Sequence, residues 1–175
     1  MKREGLLLVV SGPSGVGKGT IITQLLEQHP ELDRSVSCTT RLPRPAEVDG
    51  DHYHFISVEE FASRRDAGKF LEWATVHREI SYGTPREPVE EAIAQGQDII
   101  LEIDYQGARS VAADLKQRAV LVFIAPPSFA ILEQRLRERP AGASDDVEKR
   151  LETAQREMQN INLFEYIIIN EQAQL

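Results

Sequence analysis

An α/β fold, a parallel sheet with helices on both faces, is predicted by three observations. Near-continuous apolar runs recur at Leu6–Val10, Ile99–Ile103, Val120–Ile124 and Tyr166–Ile169, the composition of strands buried on both faces. Patterned helical segments lie between several of them. The first run leads directly into Gly12-Pro13-Ser14-Gly15-Val16-Gly17-Lys18 and then into an amphipathic stretch from Ile21 to Gln28, so a strand, a glycine-rich loop and a helix stand in order.

That loop has the spacing G-x-x-x-x-G-K. Small residues let successive backbone N–H groups turn toward one anion, the following helix N-terminus adds its partial positive charge, and the lysine reaches terminal phosphates. A nucleoside-triphosphate site is expected over Gly12, Pro13, Ser14, Gly15, Val16, Gly17, Lys18, Gly19 and Thr20. Gly19 stands where a hydroxyl residue would face magnesium. Thr20 supplies the neighbouring hydroxyl, and the metal then leans on phosphate oxygens, water and a carboxylate from elsewhere.

Between Ser35 and Tyr82 the pattern changes to short alternating stretches around Val36–Thr40, Tyr53–Ile56 and Phe70–His77, broken by a proline-rich loop over Arg41–Gly50. This predicts a small antiparallel sheet with one helix, inserted at about residues 35–82 into a core of 1–34 and 83–175. Ser57 with Glu60, and Thr84 with Glu87 after Pro85, read as capping boxes, and Gly96 is placed to end a helix. The small-residue segment Arg139-Pro140-Ala141-Gly142-Ala143-Ser144 joins two helical stretches and predicts a lid at about 137–146. Two lobes within a single domain over 1–175 imply a cleft.

The 20 Lys and Arg residues against 28 Asp and Glu give a net charge of −8, which argues against nucleic acid and anionic membranes as partners. Anionic ligands must be met by local clusters, found at Arg41 and Arg44 and at Arg135, Arg137 and Arg139. Cys38 is the single cysteine, so neither an intrachain disulfide nor a cysteine zinc site can form. No run approaches the ~18 apolar residues of a membrane helix. A cytoplasmic location is expected.

Ser37-Cys38-Thr39-Thr40-Arg41-Leu42-Pro43-Arg44-Pro45 followed by Gly50-Asp51-His52-Tyr53 offers two forked cations beside hydroxyls and a phenol, a good cradle for a phosphate monoester. Taken with Phe70-Leu71-Glu72-Trp73-Ala74, Ser81-Tyr82-Gly83-Thr84, Leu101-Glu102-Ile103-Asp104-Tyr105-Gln106-Gly107 and Ala125-Pro126-Pro127-Ser128, it makes the chain resemble the guanylate kinase family over nearly its whole length. The resemblance implies phosphoryl transfer from ATP to GMP, and dGMP, with Mg2+. Arg41, Arg44, Tyr53 and Tyr82 would hold the GMP phosphate, and Ser37 and Glu72 would read guanine, with Thr84 in the same set. Guanine presents two adjacent donors that one carboxylate accepts together, and a hydroxyl can donate to its 6-oxo group. Asp104 would serve the nucleoside or the metal, Glu102 the metal shell with Thr20, and Asn170 the adenine side. Arg135, Arg139 and Arg150 match arginines that close on the phosphates and join Lys18 and Arg41 as the catalytic set, whereas Arg137 has no counterpart and reads as a solvated helix residue.

No general base is required, because the attacking oxygen belongs to an ionised phosphate; His29, His52, His54 and His77 receive no role. Three departures from the family pattern stand out. The segment His77-Arg78-Glu79-Ile80-Ser81 replaces a shorter turn, Pro140 replaces a lid glycine, and the sequence stops at Leu175 where the family continues into a helix, so an apolar patch is expected at the last strand. Two alternatives stay open on sequence: another nucleoside-monophosphate kinase, or a catalytically silent module of the same family that binds protein partners.

Overall fold

A computed structural model describes residues 3–76, 80–115, 118–138 and 147–171. Strand β1 (Leu7–Ser11) is the middle of a five-stranded sheet whose order is β2-β7-β1-β8-β9, formed with β2 (Leu32–Arg34), β7 (Asp98–Glu102), β8 (Ala119–Ala125) and β9 (Tyr166–Ile169). Every pairing in it is parallel, with Leu7 opposite both Ile99 and Ala119. The apolar runs are explained by what they pack against. Leu7, Val9, Leu101 and Phe123 share one face with Val89 and Ile93 of α3 (Arg86–Gln95) and Ala108 and Val111 of α4 (Tyr105–Leu115). Val10, Ile100 and Ile124 share the other with Ile22 of α1 (Lys18–Gln28), Leu132 and Leu136 of α5 (Phe129–Glu138) and Ala154 of α6 (Val147–Gln159). Each of the larger side chains, Val, Leu, Ile or Phe, stabilises the fold by about 1.5–3 kcal/mol through loss of apolar contact with water.

The second sheet has the order β4-β3-β6-β5, built from β3 (Cys38–Thr39), β4 (His54–Phe55), β5 (Phe70–Val76) and β6 (Ile80–Pro85). Strands β3 and β5 pair antiparallel with β6, while β3 and β4 run parallel. Parallel neighbours need a long crossover, and the proline-rich loop is that connection. Helix α2 (Val58–Asp66) covers this sheet, stacking Phe61 on Phe70 with ring centroids 4.6 Å apart.

Local signals are obeyed unless a distant partner competes. Ser57 Oγ accepts from the Glu60 N–H at 3.1 Å and caps α2, and Gly96 ends α3 at φ 86°. Thr84 does not cap α3. The cap position is Pro85, strand β6 runs on through it, and the Thr84 hydroxyl is turned instead to a buried carboxylate. Strand β2 and strand β6 lack the signals that mark the others: the first is three polar-leaning residues, and the second is interrupted by Gly83. At the sheet edge, Tyr166, Ile167, Ile168 and Ile169 of β9 are all about half exposed.

Candidate active site

At the C-terminal end of β1 the chain turns through Gly12 at φ 146°, Gly15 at φ 83° and Gly17 at φ 93°, conformations that side-chain-bearing residues rarely adopt. Sterics add a second reason at all three. A Cβ on Gly12 would stand 2.2 Å from the Ile124 carbonyl oxygen, one on Gly15 2.9 Å from Leu136 Cδ2, and one on Gly17 2.7 Å from Asn170 Nδ2. Among the described residues nothing lies within 4 Å of a Cβ at Gly19. Lys18 begins α1 and curls back over the loop, its Nζ donating to the carbonyls of Gly12 and Pro13. Asn170, just past β9, locks the same loop: its Nδ2 donates to the Val16 carbonyl at 2.8 Å.

Arg135 of α5 donates from Nη2 to the carbonyls of Asn170 and Glu171 at 3.2 and 3.1 Å, and its buried Nη1 has no hydrogen-bond partner among the described residues. Arg150 lies half-buried on α6. Arg139 and the lid segment, Pro140 included, lie outside the described residues, as do His77, Arg78 and Glu79. Arg137 is half exposed and ion-paired with Glu133 one helical turn away, the solvated position expected of it.

The facing wall comes from the second sheet. Glu72 of β5 sits directly across from Thr84 of β6, and the Thr84 hydroxyl and N–H both donate to Glu72 Oε1, at 2.6 and 3.1 Å. Ser37 Oγ is 3.4 Å from the Thr84 hydroxyl, so Ser37, Thr84 and Glu72 form one chain of polar atoms. Glu72 is only 6% exposed, and burial pushes its carboxyl up to about 7 against the opposing pull of Thr84. Its position depends on a gap. A Cβ on Gly107 of α4 would stand 2.5 Å from Glu72 Oε2. Asp104 precedes that helix and caps it, accepting from the Gly107 N–H at 2.8 Å.

Arg41 is held by a bidentate ion pair with Glu47, at 2.6 and 2.7 Å, and donates from Nε to the Tyr82 hydroxyl at 3.2 Å. Its guanidinium carbon lies 5.0 Å from the Tyr53 ring centroid. The hydrogen bond from Arg41 drives the Glu47 carboxyl down to about 2 despite partial burial. Arg44 is exposed, with its backbone N–H donated to Glu47.

Between the walls lies a cavity of about 280 Å3. Ser14 and Lys18 line it from the loop, Ser37, Tyr53, Glu72 and Tyr82 from the second sheet, and Glu102 and Asp104 from the end of β7. Of the site residues expected from sequence, these eight line that space. Thr20, Arg41, Arg44, Thr84, Arg135, Arg150 and Asn170 are outside that lining. Sequence reasoning missed Gly107 and Glu157, whose neighbours are distant in the chain, and Glu47, for which a nearby signal exists, an acid six residues after Arg41 and three after Arg44.

A first strand that delivers a phosphate loop to a helix, facing a second lobe across a polar cavity at the carboxyl ends of parallel strands, defines the class: a phosphate-loop kinase fold. The family model described as guanylate kinase matches residues 4–174. Curated guanylate kinases of Symbiobacterium thermophilum and Maricaulis maris are 51% and 46% identical, each over 97% of this chain and 80% and 78% of their own lengths. The crystal structure of guanylate kinase from Anaplasma phagocytophilum superposes with a TM-score of 0.79 at 34% identity, covering 98% of this chain and 80% of that one. The chain belongs to the guanylate kinase family of enzymes, which phosphorylate GMP.

Proposed function

We propose that the enzyme catalyses ATP + GMP ⇌ ADP + GDP with Mg2+, accepting dGMP as well, in the purine nucleotide metabolism of the cytoplasm. The observation that carries this reading is Glu72: a buried carboxylate, aligned by Thr84 and open to a cavity that Lys18 enters from the other side. Ionised, it accepts from both guanine donors at ring N1 and the 2-amino group, while the Ser37 hydroxyl is in the same polar chain for the 6-oxo oxygen. Adenine presents an acceptor where Glu72 needs a donor. No residue in this set is assigned to the ribose 2′-hydroxyl, which is why dGMP is included.

The GMP phosphate is assigned to Arg41, Arg44, Tyr53 and Tyr82. Arg41 is already fixed by Glu47 and Tyr82, so little rotamer freedom is lost when the phosphate arrives. The triphosphate is assigned to the N–H groups of the loop over Gly12–Thr20 and to Lys18, with Asn170 bracing the loop and Arg135, Arg139 and Arg150 neutralising the transferred charge. The donor set Thr20, Glu102 and Asp104 is all oxygen, as Mg2+ requires, and fits an ion held also by phosphate oxygens and water. When bound, the ion neutralises charge on the phosphates. Alignment of the acceptor oxygen and these positive groups account for the rate, with no proton transfer to a side chain.

A coupled assay with ATP and each of GMP, dGMP, AMP, CMP and UMP tests the reading. Turnover with GMP and dGMP is expected; preference for another base, or none with any, would refute it. The GMP-specific wall favours this reading over a different monophosphate kinase, and the intact loop with Lys18 favours it over a silent binding module.

A further inference from the structure

Glu157 sits on the buried face of α6, seven residues after Arg150 and three after the fully buried Ala154. It is 7% exposed, its Oε2 has no hydrogen-bond partner among the described residues, and it lines the same cavity as Ser14, Lys18 and Asp104. The other acids of this helix behave as surface groups: Glu148 and Glu152 are about two-thirds or more exposed and ion-paired with Arg137 and Arg156. Burying a carboxyl with an unsatisfied oxygen costs free energy, and an apolar residue would fill the same space without that cost. Packing of α6 therefore gives no reason for an acid here.

Its surroundings do. Burial pushes the Glu157 carboxyl up to about 7, and the Lys18 ammonium and the Ser14 backbone N–H are the groups that favour its charged form, against the Asp104 carboxylate. Both favourable partners belong to the phosphate loop and the helix it opens.

We propose that Glu157 is a positioning residue for Lys18, its carboxylate holding the lysine ammonium and the Ser14 end of the loop in the geometry from which Lys18 reaches the transferred phosphoryl group. The inference rests on the reading of Lys18 given above, as the lysine of a triphosphate site. It assigns α6 two tasks on one face, since Arg150 and Glu157 lie two turns apart on it. A purely structural buried acid makes a different prediction, because neutralising it leaves Lys18 untouched.

Glu157→Gln keeps the shape and removes the charge, and it is compared with Lys18→Ala and with the double variant. In the parent background Glu157→Gln is expected to lower kcat about 10-fold with both KM values within about threefold, and in the Lys18→Ala background to change kcat by less than about twofold. A loss below about fivefold in the parent, or equal losses in both backgrounds, overturns the proposal. A second readout needs no turnover. The ammonium resonance of Lys18 in nucleotide-free protein, assigned by its loss in Lys18→Ala, is expected to shift in Glu157→Gln, and an unmoved resonance overturns the proposal. If the parent fails to phosphorylate GMP, the proposed reaction falls and this resonance alone decides the role of Glu157.

Discussion

The phosphate loop and the wall that faces it share one cavity and are built on different principles. From Gly12 to Lys18 the polar groups are consecutive, and most are backbone N–H groups whose direction is set by left-handed glycines. The opposite wall draws Ser37, Glu72, Tyr82 and Thr84 from β5, β6 and the chain before β3, and its polar atoms are side chains aligned by one another. A backbone-built site reads any phosphate. A side-chain-built site can match one base, at the cost of burying a carboxyl whose ionisation is pushed to about 7.

Four perturbations sharpen that contrast, and the largest is at the lysine. Lys18→Ala removes the flexible cation proposed to follow charge onto the transferred group, so kcat is expected to fall about 10²-fold or more, as for loss of one strong electrostatic stabiliser. GMP affinity, set by the other wall, changes much less. Steady-state kinetics at saturating ATP check this, and near-parent turnover would remove the loop from catalysis.

Gly107→Ala comes next. The added methyl would press on Glu72 Oε2, at 2.5 Å, and displace the carboxylate. A fall of about tenfold or more in kcat/KM for GMP is expected, the size of one lost hydrogen bond to a charged group, with KM for MgATP unchanged. Equal losses for both nucleotides would break the division between walls.

The pH profile gives an effect of similar size. In the proposed pocket Glu72 would accept both guanine donors only when ionised, and its carboxyl is raised to about 7, so the ratio of kcat/KM for GMP to that for AMP should rise through neutrality and level off above it. The rise expected from pH 6 is about tenfold, because the ionised fraction one unit below such a value is about a tenth. Titration of the substrate phosphate is common to both nucleotides and cancels. For stability the sign reverses. The folded value lies above the ordinary 4.5, so this carboxyl's contribution is fully present below 4.5 and lost as pH rises through about 7.

Gly19→Ser is the smallest perturbation. The space around it is open and its backbone is not left-handed, so unfolding by urea should shift by no more than about 0.5 kcal/mol. A larger loss would mean that this stretch of loop is packed more tightly than its geometry implies.

Legibility in the sequence follows the same division. The strands β1, β7 and β8 announce themselves because residues buried from both faces form unbroken apolar runs, and the phosphate loop because its parts are contiguous; β9 carries the same kind of run, yet its four residues are about half exposed at the sheet edge. Strand β2 is too short and polar to register, and β6 is masked by Gly83 and by hydroxyl residues that belong to the cavity. Thr84 was legible as a helix cap by local rules, and a carboxylate twelve residues earlier claimed it. Glu72 has no local mark of burial: its partners are Thr84 across the sheet and the gap at Gly107, and only resemblance to a family pointed to it. Glu47 and Glu157 look like solvated acids until the fold pairs the first with Arg41 and buries the second in the wall of the cavity that Lys18 also lines.

The central claim, that Glu72 is the residue that chooses guanine, is tested most directly by kcat/KM for GMP and AMP in the parent and in Glu72→Gln. A site built on buried hydrogen bonds rejects a mismatched base by roughly 10⁴-fold, so the parent should use AMP very poorly. Glutamine keeps the size but turns a donor toward a guanine donor in either amide orientation, so GMP use should fall steeply and the GMP to AMP ratio collapse, with MgATP affinity nearly unchanged. An unchanged ratio, with a stability change within about half a kcal/mol, would show Glu72 to be an ordinary strand residue and contradict the account.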